Sequence, residues 1–475
     1  MRIDQTSDRA REPGSDKDVF SPRSATRRVF IFTLFVFCVS PVSVLSDGQY
    51  SLVLSDSIIH HHSSHLNSYR FPSPIPRDAH CGTPSERDSH ASDEYQLDRI
   101  GNNVVYCYPN GSSILSVPFV ALAGLASLHP ASADGRYNYV GEARIQNLLA
   151  AILMALFSCI VFRTSLLLLN TPSSLLIAFG TAFGTQVWST ASRTLWSHTW
   201  LILLAGCVIY LILRCERRRV SLHPTLLATL LSWMYFVRPT GAVPIICLTI
   251  YVLARHRREF ALFAAVGASW FIAFIVYCWF TFGRPIPEYY LNFHNKWLQV
   301  PMGLTGVLVS PSRGLFVFVP ITVFVIYLAL RYWRRLPFRG LALVAFGTIG
   351  IQTALISSWH FWWGGYAYGP RYLTDLVPWF ALLAILALAG RSERPQAPAH
   401  RLEATIGLIL LAISVVINGR GAMSWATFRW NNAVDIDFHP ERAFDWRYPQ
   451  FMAGLVAAPK YAKTDAGFRG RLGSR

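Results

Sequence analysis

Apolar residues in this chain come in long unbroken runs rather than in the alternating or one-face stripes of a water-soluble fold. Runs of spanning or near-spanning length occupy Val29–Leu45 and the stretches 144–163, 172–189, 196–213, 222–237, 241–254, 260–280, 315–330, 340–357, 376–390 and 402–417. Short basic clusters abut them, and such clusters mark the cytoplasmic side. Arg27-Arg28, Arg214 to Arg219, Arg255 to Arg258, Arg331 to Arg339 and Arg391 to Arg401 are therefore placed inside. A further stretch, 111–128 (GSSILSVPFVALAGLASL), is apolar enough to be counted. Counted as a span, it would put an even number of crossings between the first external loop and the cytoplasmic cluster at Arg214, which is impossible. The pattern thus predicts an all-α polytopic membrane protein of about eleven spans, N-terminus in and C-terminus out, with 111–128 lying along the outer interface.

This topology divides the chain into a disordered cytoplasmic tail (1–26), a membrane domain (27–417) and an external C-terminal tail (418–475). The largest external loop is 46–143, and further irregular external pieces fall at 190–195, 282–314 and 358–375. Val29–Leu45 resembles a signal peptide core, but Ser46-Asp47 is a poor cleavage site and the preceding tail is long, so an uncleaved anchor is expected. The C-terminal tail carries Trp425, Trp430, Trp446, Arg429, Arg442 and Arg447, a composition suited to resting on headgroups. Nothing in it predicts a fold.

Composition agrees with this reading. Of 475 residues, 52% are hydrophobic and 15% charged, and none of the 26 acids falls mid-way along a long apolar run. The net charge of +17 comes mostly from clusters beside spans, so it indicates orientation rather than nucleic-acid binding. Among eight cysteines, Cys38, Cys159, Cys207, Cys247 and Cys278 sit in or at the ends of apolar runs. Cys81 and Cys107 share the first loop, where an oxidising compartment would permit a disulfide. No P-loop, GxGxxG or HExxH motif occurs, which removes the usual supports of nucleotide-driven transport and zinc proteolysis.

Candidate chemistry concentrates on the external side. Asp47 follows the first span directly, where partial desolvation and a nearby cation suit a general base acting on an acceptor hydroxyl. The alternative is that Asp47 caps an amphipathic helix over 49–59. His60, His61, His62 and His65 crowd the end of that helix, but consecutive histidines cannot all face one ion, so a surface cluster is expected. Asn110-Gly111-Ser112 fits a glycosylation acceptor yet reads better as a turn and cap. Arg144 with Glu142, Arg193, His198, Arg238, Arg284, Lys296, Arg313 and Arg371 all lie at external helix ends or loops, against the positive-inside trend. Such cations suit a phosphate group, although pairing with Glu142, Glu288 or Asp375, or snorkelling to lipid, would also account for them. The loop Trp359 to Tyr372 combines aromatics with Gly364-Gly365 and Gly369-Pro370-Arg371, which points to binding by stacking and close backbone approach, with Trp363 and Tyr368 among the candidates.

The chain resembles the C-type glycosyltransferase (GT-C) superfamily, in particular membrane proteins related to protein O-mannosyltransferases and the lipid A aminoarabinose transferase. The likeness rests on Ser46-Asp47-Gly48-Gln49-Tyr50, Tyr108-Pro109-Asn110-Gly111-Ser112, Gly141-Glu142-Ala143-Arg144, Arg238-Pro239-Thr240 and the Trp362 to Tyr372 loop. It covers about residues 27 to 420, through short, degenerate motifs. It implies a GT-C fold in a bacterial cytoplasmic membrane and transfer of a sugar from a polyprenyl phosphate to a lipid, glycan or protein acceptor at the periplasmic face. Asp47 would be the catalytic acid residue, and Arg144 with the other external cations would hold the lipid phosphate. Tyr50, Asp56, Arg193, His198, Arg238, Lys296, Trp363, Tyr368 and Arg371 join Arg144 as candidate substrate contacts. Where many relatives carry two adjacent acids, Gly48 follows Asp47, and Pro109-Asn110 replaces a Pro-Pro pair. These departures weaken the case for the divalent cation that some relatives use, and no other cofactor and no metal ligand set is expected. A transporter or flippase of a lipid-linked or anionic substrate is the competing reading, but it requires mid-membrane charges and symmetric halves that the sequence does not display. A non-catalytic scaffold would leave the external cations without a role.

Overall fold

The computed structural model describes residues 22–75, 94–291, 296–391 and 398–459. Cys81 and the far ends of both tails lie outside the described residues. In chain order the helices are α1 (Pro22–Val39), α2 (Ser51–His61), α3 (Gly111–Leu125), α4 (Tyr139–Ser165), α5 (Thr171–Phe183), α6 (Ser197–Arg218), α7 (Pro224–Val237), α8 (Ala242–Arg255) and α9 (Arg257–Phe282). There follow α10 (Glu288–Leu291), α11 (Val300–Val309), α12 (Leu315–Phe318), α13 (Ile321–Arg331), α14 (Arg339–Ser357), α15 (Val377–Arg391), α16 (Pro398–Met423) and α17 (Trp425–Ala433). An antiparallel hairpin, β1 (Leu97–Ile100) and β2 (Asn103–Tyr106), pairs Leu97 with Tyr106. Six segments are long and apolar enough to cross a membrane: Tyr139–Ser165, Ser197–Arg218, Arg257–Phe282, Arg339–Ser357, Arg371–Arg391 and Arg401–Met423. The molecule is a helical, multi-pass membrane protein. Shorter apolar helices lie between these six, among them α5, α7 and α13, and α3 precedes them.

Three expectations need correction. The first apolar run, read as Val29–Leu45, is helical only to Val39. Pro41 lies two residues on, and the chain leaves the helix there because proline cannot supply the amide that the next turn needs.

The segment 49–59 does form a helix, α2, but not an amphipathic one, since Ser51 through Ser57 are all buried. α3 packs along one side of it. On the other side Val53 and Leu54 join Leu66, Tyr69, Leu97 and Tyr106 in a separate small core. The described parts of the first loop thus form a folded cap with its own apolar centre.

The C-terminal tail is folded as well. Trp430 and Gln450 are fully buried beneath the loop that follows α14. Arg442 lies 4.3 Å over the Trp430 ring and donates to the carbonyls of Val434 and Trp430. Trp446 and Arg447 stay exposed, in keeping with a headgroup position.

Candidate functional site

The site begins where α1 stops. Arg193 donates to the carbonyls of Ser40, at 2.6 Å, and Phe37, satisfying acceptors that a helix C-terminus leaves open. The chain then turns through Ser46 to Gln49, with the Gln49 amide on the Ser46 carbonyl at 2.9 Å. A Cβ on Gly48 would stand 2.9 Å from the Leu195 carbonyl oxygen, so the position following Asp47 admits no second acid without backbone movement.

Asp47 does not cap α2. Glu142 does, reaching over from α4 to accept the Tyr50 amide at 3.0 Å and the Leu52 amide at 2.9 Å. The Tyr137 hydroxyl and the Gln146 amide complete its shell, at 2.7 and 3.1 Å. Its pairing is therefore with a helix N-terminus and not with Arg144, whose side chain points out from α4. The signal available in the sequence was Glu142 and Gln146 at i, i+4 on one helix face.

Released from capping, the Asp47 carboxylate is 30% exposed and accepts from Arg371 Nη1 at 2.8 Å. Tyrosines surround it. The Tyr106 hydroxyl donates to the Asp47 carbonyl at 2.6 Å, the Tyr108 hydroxyl stands 3.5 Å from Oδ1, and Tyr95 reaches neighbouring Ser46 at 3.4 Å. The Tyr289 ring lies 5.1 Å from that of Tyr108. Burial, reinforced by the Asp47 charge, pushes the phenols of Tyr95, Tyr106 and Tyr108 upward, and burial carries Tyr289 to about 12. They remain neutral donors at physiological pH.

Behind Asp47 lies a second layer. The Arg371 guanidinium is stacked 4.4 Å from the Trp196 ring and 5.0 Å from Tyr372. Arg238 approaches Tyr372 from a different element, at 5.8 Å. Its Nε donates to Asp375 at 2.9 Å, where Thr240 Oγ1 (2.9 Å), Gln352 Nε2 (3.1 Å) and His198 Nδ1 (2.6 Å) also meet the carboxylate. Four side chains, from α6, from the turn after α7 and from α14, thus converge on one buried acid. The result fixes the Arg371 guanidinium on a solvent-reaching carboxylate, with Arg238 behind it on the buried Asp375, an arrangement able to take a proton from a hydroxyl and to stabilise an anionic leaving group.

No family model matches this chain, and no curated protein matches it.

Of the residues picked from the sequence, Asp47, His198, Arg238 and Arg371 come together; the others do not. Arg193 serves the end of α1. Tyr50 is buried against Phe71 and Tyr137 and donates to Glu94. Asp56, at the far end of α2, accepts from Tyr69 at 2.7 Å and lies 3.6 Å from His60. Lys296 contacts His360 at 3.2 Å in an exposed position. Trp363 donates to Asp437 at 2.8 Å, and the buried Tyr368 donates to the Ile417 carbonyl at 2.6 Å, so neither ring is a free stacking surface. The glycines of that loop answer to backbone geometry instead. Gly364, Gly365 and Gly369 all have positive φ, and a Cβ on Gly369 would stand 2.6 Å from Phe318.

Asn110 is buried and donates to the Tyr277 hydroxyl at 2.8 Å; it occupies the cap position of α3 without capping through its side chain. The histidines diverge as expected of a surface cluster, with His65 turned to the Thr281 carbonyl at 3.3 Å. Cys107 is disulfide-bonded, whereas Cys38, Cys159, Cys207, Cys215, Cys247 and Cys278 are free. Among the described residues no three His, Cys, Asp or Glu side chains gather to hold a metal ion.

Proposed function

We propose that this chain is a GT-C-like membrane glycosyltransferase that moves a sugar from a polyprenyl phosphate to a lipid, glycan or protein acceptor. The observation that supports this best is the Asp47 carboxylate, placed just beyond the first apolar helix, held by Arg371 and still open to solvent. In this scheme Asp47 accepts the proton of the acceptor hydroxyl as the new bond to the sugar's anomeric carbon forms. The bond from that carbon to the lipid phosphate breaks, and Arg238 and Arg371 stabilise the departing phosphate. Arg371 already occupies the Asp47 carboxylate and Gly48 supplies no second acid, so a divalent cation has a poor ligand set and the scheme assigns it no step. Tyr108 and Tyr289 would line the place where the sugar sits.

The proposed topology has eleven spans, contributed by α1, α4 to α9 and α13 to α16, with the N-terminus in the cytoplasm. The basic ends of α6, α8, α13 and α15 then face inward and Asp47 faces the periplasm, in a bacterial cytoplasmic membrane. α3 would lie along the outer interface.

The deciding experiment supplies the purified protein in detergent with a polyprenyl-phosphate sugar and follows release of lipid phosphate as acceptors are added. Release is expected, with Asp47→Asn lowering its rate about 100-fold or more at unchanged thermal stability. Full release by Asp47→Asn would remove Asp47 from the mechanism. Donor binding without release for every acceptor class would overturn the transferase reading.

A further inference from the structure

The end of the bundle opposite Asp47 has its own charge cluster. Glu403 of α16 accepts from the Tyr332 hydroxyl at 2.8 Å and meets Arg331 Nε at 2.7 Å and Arg391 Nε at 3.4 Å. The Glu403 carboxylate is buried, while the Arg331 side chain is 46% exposed. The turn Trp333–Arg335 closes against the end of α15, where a Cβ on Gly390 would come 3.0 Å from the Arg335 carbonyl oxygen. Two guanidiniums therefore share one acid, with Arg334 and Arg335 beside them. The local balance is positive.

This cluster stands at the mouth of a slot. Helices α5, α13, α15 and α16 leave a cavity of about 230 Å³, walled by Ile177, Phe324, Leu328, Phe380, Ala384 and Leu411, with Arg391 at one end. It follows α15 from Val377 to Arg391, which is roughly 20 Å of helix. Its rim residues Leu176 and Leu408 are exposed, so it opens sideways. Close-packed helices do not leave an apolar gap of this length empty. In a bilayer the matter at hand to fill it is a lipid chain. A chain alone would show no preference, because lipid tails are as apolar as the slot walls. Selectivity must come from the mouth, where guanidiniums suit a phosphodiester.

We infer that the slot holds a phospholipid, with one acyl chain between α5, α13, α15 and α16 and its anionic headgroup at Arg331 and Arg391. The site is separate from the Asp47 centre and does not depend on transfer activity. Only its assignment to the cytoplasmic leaflet rests on the topology proposed above. Glu403 sets its strength, because it neutralises part of the charge that the headgroup meets.

The test is native mass spectrometry on the full chain in mild detergent, offered equal amounts of phosphatidylglycerol and phosphatidylcholine with identical chains. Phosphatidylglycerol is expected to be retained about tenfold over phosphatidylcholine. The double variant Arg331→Gln/Arg391→Gln should erase that preference, and Glu403→Gln, which removes the competing carboxylate, should raise it. Equal retention of both lipids by the unmodified protein would overturn the inference. So would a preference untouched by both variants, or one lost in Arg371→Lys instead, which would assign the bound lipid to the Asp47 end. None of these readouts involves sugar transfer, so the two proposals fail separately.

Discussion

At the Asp47 end of the helix bundle, Arg193, Arg238, Arg313 and Arg371 divide into two kinds. Arg371 and Arg238 meet carboxylates, those of Asp47 and Asp375. Among the described residues Arg313 and Arg193 meet none within salt-bridge reach, and they spend their donors on neutral oxygens. Arg313 is fully buried and donates to the carbonyls of Trp363 (2.7 Å), Ser312 (2.8 Å) and Gly365 (3.1 Å), and to the side-chain oxygens of Gln450 (2.6 Å) and Asn431 (2.7 Å). Burial pushes the Arg313 guanidinium down to about 9. It nonetheless stays charged near neutrality, held by oxygens drawn from three separate stretches of chain. The lesson is that a guanidinium saturated by carbonyls and amides fastens the loop after α14 to the C-terminal tail. One facing a carboxylate at a solvent-reaching edge is poised for an anion.

The contrast predicts that the two kinds fail differently. The largest effect should be Arg313→Met, which takes the donors from the buried Trp363 and Ser312 carbonyls and one donor each from Gln450 and Asn431, at a cost of roughly 3 kcal/mol of stability. It would be read as a large drop in melting temperature in detergent, with transfer lost only in proportion to the unfolded fraction. Next is Arg371→Lys, which keeps the charge and gives up the planar stacking between Trp196 and Tyr372. Transfer should fall about tenfold to a hundredfold while the melting temperature moves little. If Arg371→Lys unfolded the protein and Arg313→Met merely slowed it, the division would be wrong.

A smaller effect is expected of Arg144→Ala. Its side chain is exposed, while the Asp47 carboxylate is held by Arg371, so release of lipid phosphate should stay within about twofold of the unmodified rate.

The smallest is a pH effect in the tail. Burial holds the Asp437 carboxyl above its ordinary value of 3.8 while Trp363 donates to it. A folded value above the unfolded one means that this group's contribution to stability is complete below 3.8 and is lost as the pH rises through the folded value. Asp437→Asn keeps the acceptor for Trp363 and should flatten that part of the profile, by about 1 kcal/mol or less, in melting temperatures taken from acid to neutral pH.

How much of this was legible beforehand varied with the range of the interaction. The apolar runs after the first located their helices, with ends off by up to six residues and with 315–330 broken into α12 and α13, because hydrocarbon imposes its demand on each segment locally. Asp47, His198, Arg238 and Arg371 were all marked as candidates from residue type and position. Their grouping was not. Arg371 and Asp47 are joined across 324 positions of sequence, and no local pattern encodes such a meeting. Pairing of the external cations with local acids such as Glu142 was an open alternative; Glu142 instead takes the Tyr50 and Leu52 amides, and on a helix residues two apart, such as Glu142 and Arg144, point to different faces. Tyr289, Tyr106 and Asp375 went unselected as site residues, since a tyrosine or aspartate in a loop carries no distinguishing mark until its neighbours are known.

The sequence by itself thus determined that the chain is a bundle of apolar helices with its candidate site residues assigned to one end. Burying a backbone in lipid and keeping charges out of it are constraints on composition, and composition is written in order along the chain. Only the tertiary structure decided which charges meet. It set Arg371 on Asp47, Glu142 on the first turn of α2 and Arg313 on the folded tail, because direct hydrogen bonds act over a few ångströms and depend on where the helices bring distant loops together.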